Sequence, residues 1–439
     1  MTTDQITALG SALASFVAEH RACFATAPTF KHCGTYCRGL MSDLPRKSVE
    51  PIALAGGTAV RTLQEFLTHH DWDHARLRDQ LQQRIVRDHL SAPASADASA
   101  STAGSTPADD LGTVGWTDET SVPKKGDKTP GVQRQYCGHS GKIDNCMTTV
   151  HLAARRGNFM TLLDSDLFLP EKTWHDDRAN GGDRCKKAHI PDDVVYRSKW
   201  KIALEQIRRA MANGVRFDWL TFDEWYGGKP GFLAELDEMG QRYVCEVPRN
   251  FLCWPTRPRY CSKQSAFAPK RVDNAARRGG PFRGQKWKTC KIPRKTLPDQ
   301  VWRAKAGLVH LVRDGKPTDR RYWLIVAENI HTGEVKHFIA NADERCPPDT
   351  LLRVAFTRAG VEHVFRLAKT EIGFDHYEGR TYHGLMRHMM LCQLVLTFIA
   401  EHTDRLRGEK SGLDDGADRP RPERLLPPVA GQARQAIFT

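Results

Sequence analysis

The sequence predicts an α/β protein: a mixed sheet flanked by helices, with an N-terminal helical domain and a basic, strand-containing insertion before the last helix of the sheet domain. Three observations predict it. Two runs, Thr113-Val-Gly-Trp-Thr and Phe217-Asp-Trp-Leu-Thr-Phe, read as strands and lead into Asp118 and Asp223, and a helix-periodic stretch and a third strand follow the second in β-α-β order. The first 92 residues carry apolar stripes at helical spacing. Charge is unevenly spread: the formal net charge is +13, yet between Arg249 and Lys305 stand 16 Lys/Arg against two acids, Asp273 and Asp299.

Residues 1–92 form the expected helical domain, beginning with the stripe Ile6, Leu9, Leu13, Phe16 and Val17. Further helices are expected over 30–41, 59–69 and 73–89, the last with Leu77, Leu81, Ile85 and Val86 on one side. Residues 93–110, rich in Ala and Ser without apolar periodicity, read as a flexible linker. The first part of the sheet domain is 111–248. Val114 and Trp116 alternate with Gly115 and Thr117, and Asp118 is expected where this strand gives out into a polar loop with Lys124 and Lys125. Strands over 132–137 and 146–153, with a turn from Gly138 to Gly141, suggest an antiparallel meander. A looped region around 167–170 and Trp174 precedes a helix over 199–212, closed by Asn213-Gly214. The strand 217–223, a helix over 231–239 and a strand over 242–247 complete the β-α-β unit.

Residues 249–350 are the basic insertion. Its charges are interleaved with Trp254, Tyr260, Phe267, Phe282 and Trp287. Basic groups neutralise phosphates and flat rings stack on bases, so Trp254, Arg257, Arg259, Lys286, Trp287 and Lys288 are expected on a nucleic-acid surface. A hairpin over 307–312 and 322–327 and a third short strand over 337–340 end the insertion. Residues 351–403 return to helix, with Leu385, Met389, Cys392, Leu396 and Ile399 along one face. The tail 404–439, rich in Pro, Arg and Asp, is expected to be disordered.

Other classes are disfavoured. The best apolar run, from Met389 to Ala400, has the length of a buried helix and not of a membrane span. The N-terminus lacks the pattern of a signal peptide, which suggests a cytoplasmic protein. The 12 cysteines are scattered without a CxxC pair and read as free thiols. Cys33 and Cys37 beside His32 lack the further ligands that zinc requires.

The chemistry is expected from three acids. Asp118 and Asp223 each end a strand, although Asp223 alone reads equally well as a helix N-cap. Arg358, Glu362, Phe365 and Lys369 stand at offsets 0, 4, 7 and 11, which predicts one face of one helix. Arg four residues before Glu is the weaker orientation for a helical ion pair. Phe365 shares the stripe, so this charged face is expected to pack against something. Glu371 and Glu378 are rival third acids, but neither has an Arg four before and a Lys seven after.

With these residues in place, the chain resembles the DDE transposases of bacterial insertion sequences, in the group marked by Y-x2-R-x3-E-x6-K. Arg358, Glu362 and Lys369 match the signature, while Ala355 stands at its tyrosine and Ala359 at the Trp that often follows the Arg. Thr117-Asp-Glu-Thr, Lys124-Lys-Gly, Gly131-Val-Gln-Arg-Gln-Tyr, Leu167-Phe-Leu-Pro, Asp223-Glu-Trp-Tyr and Tyr36-Cys-Arg-Gly-Leu are also family-like. The resemblance implies a ribonuclease-H-like core and two Mg²⁺ ions, replaceable by Mn²⁺, held by Asp118, Asp223 and Glu362. It implies cleavage at inverted-repeat ends and joining to double-stranded target DNA by a homodimer in the bacterial cytoplasm, at the nucleoid, with 1–92 gripping the ends. Arg358, Lys369, Lys124, Lys125, Arg134 and Tyr226 join the expected DNA contacts. The alternatives are a catalytically silent DNA-binding regulator and a metal-dependent endonuclease without strand transfer.

Overall fold

The computed structural model describes residues 3–91, 111–259, 268–278, 280–292 and 300–410. The expected linker lies outside the described residues, as does the tail beyond Lys410. Helices α1 (Thr3–Ala18), α2 (Ala27–Met41), α3 (Val49–Ala55), α4 (Val60–Thr68) and α5 (His74–Ile85) come first. Strands β1 (Val114–Pro123), β2 (Gln133–Cys137), β3 (Lys142–Arg156) and β4 (Phe159–Phe168) follow, then α6 (Asp176–Ala179), α7 (Arg184–Lys187) and α8 (Lys199–Ala212). Next are β5 (Trp219–Phe222), α9 (Glu224–Gly227), α10 (Pro230–Glu238), β6 (Tyr243–Glu246), β7 (Leu252–Trp254), β8 (Lys270–Arg271) and α11 (Val272–Arg278). Then come β9 (Lys288–Ile292), β10 (Gln300–Arg313), β11 (Lys316–Pro317), β12 (Tyr322–Asn329) and β13 (Val335–Ala340). Helices α12 (Pro348–Phe356), α13 (Ala359–Leu367) and α14 (Tyr382–Lys410) are the last described. The chain divides into two compact units, one built from 3–91, 119–216 and 362–410, the other from 111–118 and 217–361.

The first unit is organised around α14. Its apolar residues Leu385, Met389, Leu391, Cys392, Leu394, Val395 and Phe398 are buried on all sides, not along the single face expected. Buried polar groups on it choose its neighbours. Arg387 donates to the carbonyls of Leu67 and Trp72 (3.2 and 2.6 Å), His388 bonds Tyr36 (2.9 Å), and Thr397 bonds Thr161 of β4 (3.0 Å). The family-like run around Tyr36 is therefore core: a Cβ at Gly39 would stand 2.4 Å from the Ile52 side chain, so glycine lets α2 approach α3. Helix starts follow the sequence cues, with Thr26 capping α2 and Asp73 capping α5 (2.8 Å to Ala75 N). The meander is present, β2 pairing antiparallel with β3 and β3 with β4. The region expected to be looped around 167–170 begins instead as the end of β4. Its pattern was concealed by Asp164 and Asp166, buried mid-strand and paired with Arg209 (3.0 Å) and Arg197 (3.2 Å). Helix α14 also runs through 404–410, into the stretch expected to be disordered.

The second unit holds a mixed sheet in the order β1-β5-β6-β13-β12-β10-β7-β8, with β9 and β11 also paired to β10. β1, β5 and β6 run parallel, and β13 joins β6 antiparallel. The strands of 249–350 thus extend the same sheet. Phe356 of α12 packs against Trp302 and Phe338 (ring centroids 4.8 and 5.8 Å). Behind α9, a Cβ at Gly227 would fall 1.9 Å from the Glu246 carbonyl oxygen, so only glycine fits. The mixed α/β class expected from the sequence is present. Among the described residues no helix is long and apolar enough to cross a membrane.

Candidate active site

The parallel register of β1 and β5 pairs Val114 with Trp219 and ends with Thr117 opposite Phe222. Asp118 and Asp223 are each the next residue, so adjacent strands deliver two carboxylates at the same level of the sheet. β5 stops there because Asp223 turns the chain and caps α9, its Oδ1 accepting from the backbone N–H of Trp225 (3.0 Å) and of Tyr226 (3.2 Å). β1 does not stop. It runs on to Pro123, so Asp118 lies mid-strand and not at the expected strand end. What ends at Asp118 is the pairing with β5. Its side chain is 14% exposed and accepts from Arg358 Nη1 at 3.0 Å. Glu119, next in sequence, is tied to Lys199 (2.5 Å).

The single helix expected to carry Arg358, Glu362 and Lys369 on one face is not formed. α12 ends at Phe356, Thr357 and Arg358 make a turn, and α13 begins at Ala359. Trp116 of β1 holds that turn: its Nε1 donates to Thr357 Oγ1 (3.1 Å), and a Cβ at Gly360 would stand 2.5 Å from its ring. After Leu367 the backbone widens into a π turn over Ala368–Ile372, which carries Lys369. Arg358 therefore precedes the helix and Lys369 follows it. Glu362 is exposed and sits in the first turn of α13, where the helix dipole favours a carboxylate. Phe365 does pack as expected, edge-on against His151 (5.0 Å). The His151 ring bonds Thr149 and Ser165 (2.7 Å each), and burial pushes its pKa down to about 3. Burial also lowers the pKa of Lys369.

Three expected DNA contacts are corrected by burial. Tyr226 is fully enclosed and Trp254 is 4% exposed, so neither ring is offered to a base. Lys124 turns its ammonium to the backbone carbonyls of Asp375 and Tyr377, and burial pushes its pKa down to about 8. Lys125, Arg134, Arg257, Arg259, Lys286, Trp287 and Lys288 are exposed. Of the rival acids, Glu378 accepts from Arg46 (2.6 Å) and Glu371 bonds Thr370 (3.2 Å). Sequence reasoning missed Trp116 and Thr357 as the residues that position Arg358; no local pattern announces a contact between residues 241 apart.

Carboxylate oxygens such as those of Asp118 and Asp223 are the hard donors that Mg²⁺ prefers, so the donor set suits that ion. Among the described residues no three His, Cys, Asp or Glu side chains are grouped so as to hold a metal ion. Cys33 and Cys37 are buried free thiols.

Over residues 20–100 and 107–308 the chain matches the family described as DDE superfamily endonuclease, a match that takes in both aspartates and stops before Glu362. It is also 27% identical over 247 residues to the probable transposase for insertion sequence element IS701 of Microchaete diplosiphon. That alignment covers 51% of this chain and 56% of the relative, so the chain spans little more than half the length of the protein it resembles. The mixed sheet with β1 and β5 side by side is accordingly a ribonuclease-H-like one. Sheet, paired aspartates and a match over most of the sequence agree: the chain belongs to the DDE superfamily of endonucleases.

Proposed function

We propose that the protein is an insertion-sequence transposase, cutting double-stranded DNA at the inverted-repeat ends of its element and joining those ends to target DNA. The observation that carries this reading is the register that brings Asp118 and Asp223 to one level of adjacent parallel strands. In this reading Glu362 would be the third acid, and Asp118, Asp223 and Glu362 would together hold Mg²⁺, with Mn²⁺ as a substitute. A pair of such ions would activate the attacking oxygen and offset charge on the leaving oxygen. The protein's own residues supply the rest. Asp223 is oriented by its two bonds to the start of α9, and Asp118 by Nη1 of Arg358. A guanidinium so placed is suited to pass to a DNA phosphate, which it binds bidentately. Lys369, partly withdrawn from water, adds a point charge nearby in sequence.

In this reading the helical residues 1–92 grip element ends and the strands of 249–350 add backbone contacts. Lys125, Arg134, Arg257, Arg259, Lys286 and Lys288 are the exposed cations for that task. A homodimer works on paired ends at the nucleoid. Ala355 and Ala359, where the signature carries Tyr and Trp, favour as second reading a regulator that binds DNA and does not cut.

Labelled element ends incubated with the protein and Mg²⁺ separate the possibilities. Joined product is expected, with Asp118→Asn abolishing cutting and leaving DNA binding intact. Binding without cutting supports the regulator, and cutting without joining an endonuclease. Cutting that persists in Asp118→Asn overturns the assignment of the site.

A further inference from the structure

Trp287 stands immediately before β9 with its indole 37% exposed, and two cations from the neighbouring strand lie over the ring. Arg303 Cζ is 5.1 Å and Lys305 Nζ 5.0 Å from the ring centroid. The strand geometry explains why both reach it. Along β10, Trp302 and Ala304 are buried, so residues 303 and 305 project from the opposite face. β9 runs antiparallel to β10 with Lys288 opposite Ala304, which brings the preceding residue, Trp287, level with Lys305. The attraction of a cation to the ring face then restrains both long side chains, Arg303 in addition to its bond to Glu328 and Lys305 by the ring. Lys286, Lys288 and Lys291 are exposed alongside, and Glu328 is bonded to Arg303 (2.7 Å).

We infer that Arg303 and Lys305 form a phosphate-binding pair for the backbone of duplex DNA, and that Trp287 is the positioning residue that sets their geometry. This rests on the DNA-acting function proposed above and locates part of the DNA path on the β9–β10 ribbon. The ring's task is thereby different from the base stacking expected from the sequence. A guanidinium fork and an ammonium point charge held two residues apart are both phosphate ligands, and each phosphate neutralised releases counterions.

The test is fluorescence anisotropy of the full chain with fluorescein-labelled random-sequence duplex DNA across a potassium chloride series. For R303Q/K305Q, the plot of log affinity against log salt should become shallower by about 1.8, at roughly 0.9 for each phosphate that is no longer neutralised. W287L should move the slope in the same direction and W287F restore most of it, because phenylalanine keeps a ring face. A purely structural role would lower the thermal midpoint without moving the slope, so melting curves are recorded beside the titrations. An unchanged slope in R303Q/K305Q, with the unaltered protein binding well, overturns this inference and leaves the DNA reading standing. W287F behaving like W287L overturns the positioning role. Failure of the unaltered protein to bind duplex DNA at any salt overturns both readings together.

Discussion

Asp118 and Arg358 share a partly buried ion pair, at 14% and 23% side-chain exposure, so neither charge is fully solvated and each depends on the other. Removing the guanidinium leaves a carboxylate with less compensation, a change that costs about 1–3 kcal/mol when a hydrogen bond to a charged group is removed. Arg358→Gln is therefore expected to lower unfolding stability by that amount in a urea titration. The same variant should bind Mn²⁺ more tightly by calorimetry, because a cation no longer competes for Asp118. Equal Mn²⁺ affinity in both proteins would show that the pair does not tune the carboxylate. Asp223 teaches a complementary lesson. From the sequence, helix cap and metal ligand stood as rival roles, yet both capping bonds fall on Oδ1, so capping orients the carboxylate without using every acceptor site it has.

Elements were legible where one rule decided them. The helix over 199–212 coincides with α8 because the apolar stripe of Ile202 and Ile207 and the Asn213-Gly214 stop agree. β1 was legible by alternation, but its length was not, since Thr120 and Ser121 are polar and buried. β4 was concealed by its ion-paired aspartates, and the break between α12 and α13 by its cause, a tryptophan far away in sequence. Lys124, on the segment that leaves β1, offers a test at this scale. Burial lowers its pKa from 10.5 to about 8, so between those values the unfolded chain binds more protons than the folded one. The folded state carries the cost of a withdrawn ammonium below about pH 8, and that cost is relieved as pH rises toward 10.5. Thermal midpoints of the protein and of Lys124→Met, followed from pH 7 to 10, should therefore diverge in the direction of greater relative stability for the native lysine. A constant difference would show that Lys124 titrates normally.

At the scale of the whole molecule, the three acids of the proposed site are separated by long intervals of chain and stand on different kinds of element. Strand register brings two together, and this was foreseeable once both strands were recognised. The third depends on a helix, and the family match that covers both aspartates ends at residue 308. Glu362 therefore rests on its spacing from Arg358 and Lys369 and on its place in the first turn of α13. Of the rivals, Glu378 stands in an exposed pair with Arg46 and Glu371 beside Thr370. An exposed ion pair such as that of Glu378 with Arg46 contributes little to stability, so replacing Glu378 should leave the fold intact. A metal that binds only the folded state stabilises it by about 2.7 kcal/mol at a hundredfold excess over its dissociation constant. Mn²⁺ should therefore raise the thermal midpoint of the unaltered protein, of Glu371→Gln and of Glu378→Gln alike, and raise it much less in Glu362→Gln. DNA cutting should follow the same division. If Glu371→Gln or Glu378→Gln lost the metal-induced shift while Glu362→Gln kept it, the third ligand would belong to the segment after α13, and the spacing to Arg358 and Lys369 would have no chemical meaning in this chain.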